Sequence, residues 1–153
     1  KGMAGEAALV AAMQAAGAPA AVTTSGSMLA ALRHLGVHRV ATVTPYTADL
    51  TIGLTSYLME AGLEVVSTSG LGLTSHIWAV PYEQTAELVR STDVPEAEAI
   101  VVSCTNLPTY DLIARLEAEL HKPVVTANQV TMWAALRVAG RKAVGPGQRL
   151  IET

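Results

Sequence analysis

The residues best equipped for chemistry in this chain gather around its only cysteine, Cys104. Cys104 lies in Ser103-Cys104-Thr105-Asn106, directly after the apolar run Ala99-Ile100-Val101-Val102. A short apolar run followed by small polar residues reads as a buried parallel strand that ends in a loop. Ligands of open α/β sheets bind outside the carboxyl ends of such strands. A thiol there can exchange a proton or act as a nucleophile. The plainer reading is that a lone cysteine is a small buried hydrophobe.

Three other predicted strand or helix boundaries carry similar groups: Thr23-Thr24-Ser25, Thr44-Pro45-Tyr46-Thr47 and Thr126-Ala127-Asn128-Gln129. Each precedes a predicted helix, so free backbone N–H groups and positive helix ends converge on one edge of a sheet. Such an edge suits a carboxylate or a phosphate. Serine, threonine and asparagine at these positions also serve as ordinary helix caps. His76 follows a strand-end loop and is the one histidine placed near the cleft. Histidine is the side chain most readily tuned near neutral pH. His34 and His121 fall near helix ends and His38 at the start of a strand, all read as solvated. The four histidines do not have metal-ligand spacing, and Trp78 and Trp133 read as packing groups.

Several familiar motifs are missing. Ser69-Gly70-Leu71-Gly72 lacks the third glycine and the helix start of a dinucleotide fingerprint, and no Gly-Lys-Ser/Thr loop is present. Ser25-Gly26-Ser27 is not a nucleophile elbow.

The elements that must position these groups alternate between two periods. Helices are predicted over 6–16, 27–35 (capped by Ser25), 49–61, 81–89, 110–120 and 128–139. Strands are predicted over 21–23, 39–43, 64–68, 99–102 and 123–126, and the tail to Thr153 reads as irregular. Alternation of this kind implies βαβ units, a mostly parallel sheet and right-handed crossovers. The 153 residues suit one domain with a sizeable core; 50% of them are hydrophobic, 15% are charged and the net charge is −3. With no phenylalanine the core must be aliphatic. No basic stripe points to nucleic acid and no apolar run suggests a membrane span. The opening residues are amphipathic, unlike a signal peptide. A single cysteine excludes an internal disulfide framework and a cysteine-built zinc site, and fits a reducing cytoplasm.

Longer stretches carry a resemblance. Ser103-Cys104-Thr105-Asn106-Leu107-Pro108-Thr109, Pro123-Val124-Val125-Thr126-Ala127-Asn128-Gln129 and Trp133-Ala134-Ala135-Leu136-Arg137 resemble the aspartate/glutamate racemase superfamily. So do the segments Leu32–Ala41 and Thr44–Thr47 and the tail Pro146-Gly147-Gln148-Arg149-Leu150. The similarity is greatest to the maleate isomerase and arylmalonate decarboxylase branch, and it covers nearly the whole chain. It implies an α/β fold with a parallel sheet, flanking helices and flavodoxin-like pseudo-symmetric halves with the active site between them. On that pattern residues 1–153 hold the end of the first half, all of the second half and a C-terminal return segment. The missing opening strands would lie in the same chain or in another.

The resemblance also implies roles. Cys104 matches a catalytic cysteine. Tyr46 matches a tyrosine that donates to a substrate carboxylate, and Thr105 a residue whose backbone N–H binds the same group. The implied substrate-binding set is Tyr46, Thr47, Thr105, Asn106 and His76. His76 stands where maleate isomerases place an asparagine, which marks it as a candidate specificity residue. The implied activity is a cofactor-independent cis–trans isomerisation of a small dicarboxylate, maleate to fumarate, that uses cysteine thiols. Racemisation of an acidic amino acid, decarboxylation of an arylmalonate and simple carboxylate binding are the alternatives. The resemblance implies a small dicarboxylate or acidic amino acid as substrate; Ala- and Leu-rich helix faces suit a homo-oligomer, and composition gives no reason to expect nucleic acid or membrane as a partner.

Overall fold

The computed structural model describes residues 2–153. Four strands, β1 (Arg39–Thr44), β2 (Glu64–Gly70), β3 (Ala99–Val102) and β4 (Val124–Thr126), form one parallel sheet in the order β2-β1-β3-β4. Residues alternate between its faces, and both faces are covered. Val40, Ala99, Val101 and Val125 pack on one side with Met28, Leu29 and Leu32 of α2 (Thr24–His34), Leu58 of α3 (Ala48–Glu60) and Val130 and Trp133 of α6 (Ala127–Val138). Ala41, Val43, Ile100, Val102 and Val124 pack on the other with Ala86 and Val89 of α4 (Tyr82–Thr92) and Leu116 of α5 (Ile113–Leu120). Fully buried β3 is apolar throughout because it meets helices on both faces.

The strand order places a reversal beside β1. The chain leaves β1 through α3 to β2 on one side, then returns through α4 to β3 on the other. The loops after β1 and β3 therefore diverge to opposite faces and leave a crevice between them, where open α/β sheets bind ligands. The register aligns the strand ends, with Val43 opposite Val102, Thr44 opposite Gly70 and Val102 opposite Thr126.

Helix α1 (Gly2–Ala15) has no buried residue among those described. Glu6 fastens it, its carboxylate accepting from Thr23 Oγ1 at 3.0 Å and from the Tyr57 hydroxyl. At the other terminus, α7 (Arg149–Glu152) is latched by Glu117 of α5, only 2% exposed. The Glu117 carboxylate accepts from the N–H groups of Val124 (2.8 Å) and Arg149 (2.7 Å). Burial pushes its pKa up, and the Arg149 and Val124 bonds oppose the rise.

Several expectations need correction. Residues 21–23 form no strand; Thr23 is extended because it is the N-cap of α2, its Oγ1 accepting from Gly26 N–H at 2.9 Å, and Ser25 lies inside the helix. The segment predicted as one helix over 110–120 opens with a 3₁₀ turn, Tyr110–Leu112, before α5. The tail contains α7, which is too short to be recognised by periodicity. Trp78 is 64% exposed and is no packing group, whereas Trp133 is 7% exposed and packs as expected.

Candidate active site

Two loops build the site at the crevice. After β1, Pro45 and Tyr46 are held from behind. The N–H of Leu71 donates to Thr44 O, that of Gly72 to Tyr46 O and that of Leu73 to Pro45 O, at 2.8–3.1 Å. Thr44 Oγ1 and Thr51 Oγ1 share a buried hydrogen bond of 2.7 Å, and the Thr51 hydroxyl contacts Thr47 O at 3.0 Å. Thr47 caps α3 through its backbone, and its side chain makes no capping bond. Gly70 makes room for this packing: a Cβ there would stand 3.1 Å from Thr44 Oγ1 and 3.3 Å from Tyr46 O.

After β3, Ser103 N–H donates to Val43 O at 2.9 Å, which keeps the two loops side by side. Cys104 follows in a backbone conformation unusual for a residue with a Cβ, φ 99°. Positive φ in a non-glycine residue costs about 1–3 kcal/mol and concentrates at functional positions. The side chain is half-buried and the thiol is free. Tyr46 Oη lies 3.4 Å from Ser103 Oγ. Burial pushes the Tyr46 phenol pKa up, the Ser103 bond opposes this, and neighbouring Cys104 adds to the rise. The phenol therefore stays protonated and can donate throughout the neutral range.

The structure thus brings Tyr46 and Cys104 together. Thr105 and Asn106 form an exposed turn directly after Cys104, and Leu107 N–H closes the turn on Cys104 O at 3.4 Å. His76 is not joined to them by any hydrogen bond among the described residues. It is exposed in a left-handed turn beyond β2, φ 55°, its Nδ1 bonded to Ser75 Oγ at 3.0 Å and its ring 6.3 Å from that of Trp78. The expected helix behind every loop is also revised. The N-termini of α3 and α6 face the sheet's carboxyl edge, but α5 starts only at Ile113, so no helix begins directly after Cys104.

Sequence reasoning passed over two contributors. Ser103 was only the first letter of a motif, and its hydroxyl meets Tyr46. Asn128 resembled a helix cap, yet its Nδ2 donates to Thr105 O at 2.9 Å. Its place after β4 and the order β3-β4 bring it there, a signal that becomes legible once strand order is known. Among the described residues no cluster of three or more histidine, cysteine or acidic side chains could hold a metal. No helix among them is long and apolar enough to cross a membrane. Chemically, the arrangement offers a proton-exchanging thiol beside a phenol donor and backbone N–H groups, the equipment for stabilising an enediolate.

Residues 1–151 match the family model described as arylmalonate decarboxylase. The arylmalonate decarboxylase of Bordetella bronchiseptica is 37% identical over 145 residues, which cover 92% of this chain and 60% of that protein. The chain thus spans about three fifths of the length of that relative. A crystal structure of arylmalonate decarboxylase superposes with a TM-score of 0.91 at 34% identity, covering 99% of this chain and 69% of the other. The maleate cis–trans isomerase of Nocardia farcinica, in a mutant with a covalently bound succinylcysteine intermediate, superposes with a TM-score of 0.88 at 28% identity, covering 97% and 62%.

Proposed function

The chain belongs to the arylmalonate decarboxylase family, and on that premise we propose that it performs cofactor-independent chemistry on a small dicarboxylate, with Cys104 as the proton-exchanging thiol. One observation carries the reading: Cys104, held at φ 99°, directly follows Ser103, whose Oγ lies 3.4 Å from the hydroxyl of half-buried Tyr46, at the reversal point of the sheet. Tyr46, Thr47 and the backbone of Thr105 and Asn106 bind a carboxylate. His76 borders the substrate from the β2 side when a ligand is bound. Residues 1–153 supply the end of the first α/β half, the second half and a C-terminal return segment, and a single cysteine suits work in a reducing cytoplasm.

The reaction we favour is maleate to fumarate. A second thiolate adds to one alkene carbon, and Cys104 protonates the neighbouring carbanion to give a succinyl thioether. The carbon–carbon bond rotates. Cys104 thiolate then removes the proton and the thiolate that had added leaves, restoring both thiols' starting states. The succinylcysteine of the Nocardia relative supports such a path there. These 153 residues contain one cysteine, so the adding thiol is not among them. A second reading, favoured by the 37% identity to the Bordetella enzyme, is decarboxylation of an arylmalonate. There the carbon–carboxylate bond breaks, CO₂ leaves, and Cys104 protonates the enediolate and is reprotonated by water.

The test is to incubate the protein as its gene encodes it with maleate and, separately, with phenylmalonate. Fumarate formation and CO₂ release are followed, with Cys104→Ser beside the wild type. Turnover of either substrate, lost in Cys104→Ser by about a thousandfold or more, is expected. Undiminished turnover in Cys104→Ser refutes the role of the thiol.

A further inference from the structure

The turn that follows the thiol has a second controlling group. Leu107 N–H closes on Cys104 O, so Thr105 and Asn106 are the two central residues of a β-turn. The peptide between such residues can face either way. The two arrangements are related by a half-rotation of that peptide, and one of them puts the third residue at positive φ. Asn106 is not among the residues with positive φ, so the turn holds the other arrangement. The turn is exposed, and the Asn128 amide, with Nδ2 2.9 Å from Thr105 O, is the one side chain among the described residues that hydrogen-bonds to this peptide.

Asn128 is not engaged in capping α6. Thr126 is the N-cap, and Gln129 Oε1 accepts from the Thr126 N–H at 3.3 Å. An aspartate would suit the positive end of α6 better than an asparagine, but it has no N–H to give a carbonyl. Peptide planarity then supplies the direction. A trans peptide sets its N–H opposite to its C=O. Thr105 C=O points toward α6, which follows β4 on one side of β3, while β1 and Tyr46 lie on the other side. The Asn106 N–H therefore points toward the Tyr46 side of the thiol loop.

We propose that Asn128 is a positioning residue whose side-chain amide locks the Thr105–Asn106 peptide, so that the Asn106 N–H joins the Tyr46 hydroxyl in binding one substrate carboxylate. The proposal deepens the reading above and rests on it for the identity of the ligand, though not for the orientation of the peptide.

The test uses the protein as its gene encodes it and three variants. Asn128→Ala removes the donor. Asn128→Asp keeps the shape but turns a carboxylate on the carbonyl, and Asn128→Gln keeps an amide. The first readout needs no substrate: the HN–Hα coupling and ¹⁵N shift of Asn106 report which way the peptide faces. Both should change in Asn128→Ala and Asn128→Asp and be restored toward wild type in Asn128→Gln. The second readout is the affinity for malonate, measured by calorimetry. It should fall about tenfold in Asn128→Ala, the loss of one hydrogen bond to a charged group, with the melting temperature unchanged. Unchanged Asn106 parameters in both Asn128→Ala and Asn128→Asp overturn the proposal. A reoriented peptide with undiminished malonate affinity overturns its ligand-binding half. If the wild type binds malonate but converts neither maleate nor phenylmalonate, the proposed reaction fails while the role of Asn128 is still decided by these two readouts.

Discussion

Replacing Cys104 with glycine should leave a more stable protein than replacing it with alanine, the reverse of the ordinary order. Both variants lose the thiol and its contact with Tyr46, so these losses cancel in the comparison. What remains is the backbone. At φ 99° a residue with a Cβ bears about 1–2 kcal/mol of left-handed strain, which alanine keeps and glycine sheds. Against this, glycine gives up about 0.5–1 kcal/mol more conformational entropy on folding. The difference leaves Cys104→Gly ahead by roughly 0.5–1 kcal/mol. For a chain of this size 1 kcal/mol corresponds to about 2–4 °C, so the melting temperatures should differ by about 2 °C. Urea unfolding followed by Trp133 fluorescence gives the same comparison through the midpoint at constant slope. If Cys104→Ala equals or exceeds Cys104→Gly in both measurements, the backbone at position 104 is not strained, and the argument that the fold holds its thiol under tension is wrong.

Tyr46→Phe should lower kcat about a hundredfold, the usual loss for one donor to a developing oxyanion, and the wild-type rate should show no fall from phenol ionisation below about pH 10 because burial raises that pKa. Gly70→Ala should cost about 1 kcal/mol by denaturation and lower turnover, since the added methyl presses on Thr44, Thr51 and the Tyr46 carbonyl. Glu117 has a folded pKa above its unfolded one. The stability it contributes is therefore fully present below about pH 4.3 and is lost as pH rises through the folded value. The stability of the wild type relative to Glu117→Gln should decline from pH 4 towards pH 7, and a difference that grows over this range in urea titrations would refute the assignment.

Much of this was legible because buried strands announce themselves. Ala99-Ile100-Val101-Val102 reads as a strand covered on both faces, and the structure covers it on both faces. The glycines after Leu35, Ala61 and Ala139 mark helix ends correctly. Alternation of strands and helices sufficed to send Tyr46 and Cys104 to the same edge. What it could not supply was the order of the strands. With β1 central the Tyr46 and Cys104 loops become neighbours, while the β2 loop with His76 is displaced by one strand. Ala21-Val22-Thr23 looked like a strand since an N-cap residue is extended, and only a hydrogen-bonded neighbour distinguishes the two. The positive φ of Cys104 leaves no trace in composition, because the residue type is chosen by chemistry against the backbone's preference. The helix at Arg149–Glu152 owes its place to Glu117, thirty-two residues away, a tertiary bond that no local window can contain.

The geometry at position 104 also has a genetic side. Cysteine and glycine codons differ by a single base, and glycine is the residue whose backbone fits φ 99° without steric strain. Loss of the thiol by that base change would meet no steric penalty from the backbone and would leave Tyr46 and the neighbouring N–H groups in place. On the proposed reading, descendants of this gene stand one base change from a folded carboxylate receptor without the proton-exchanging thiol.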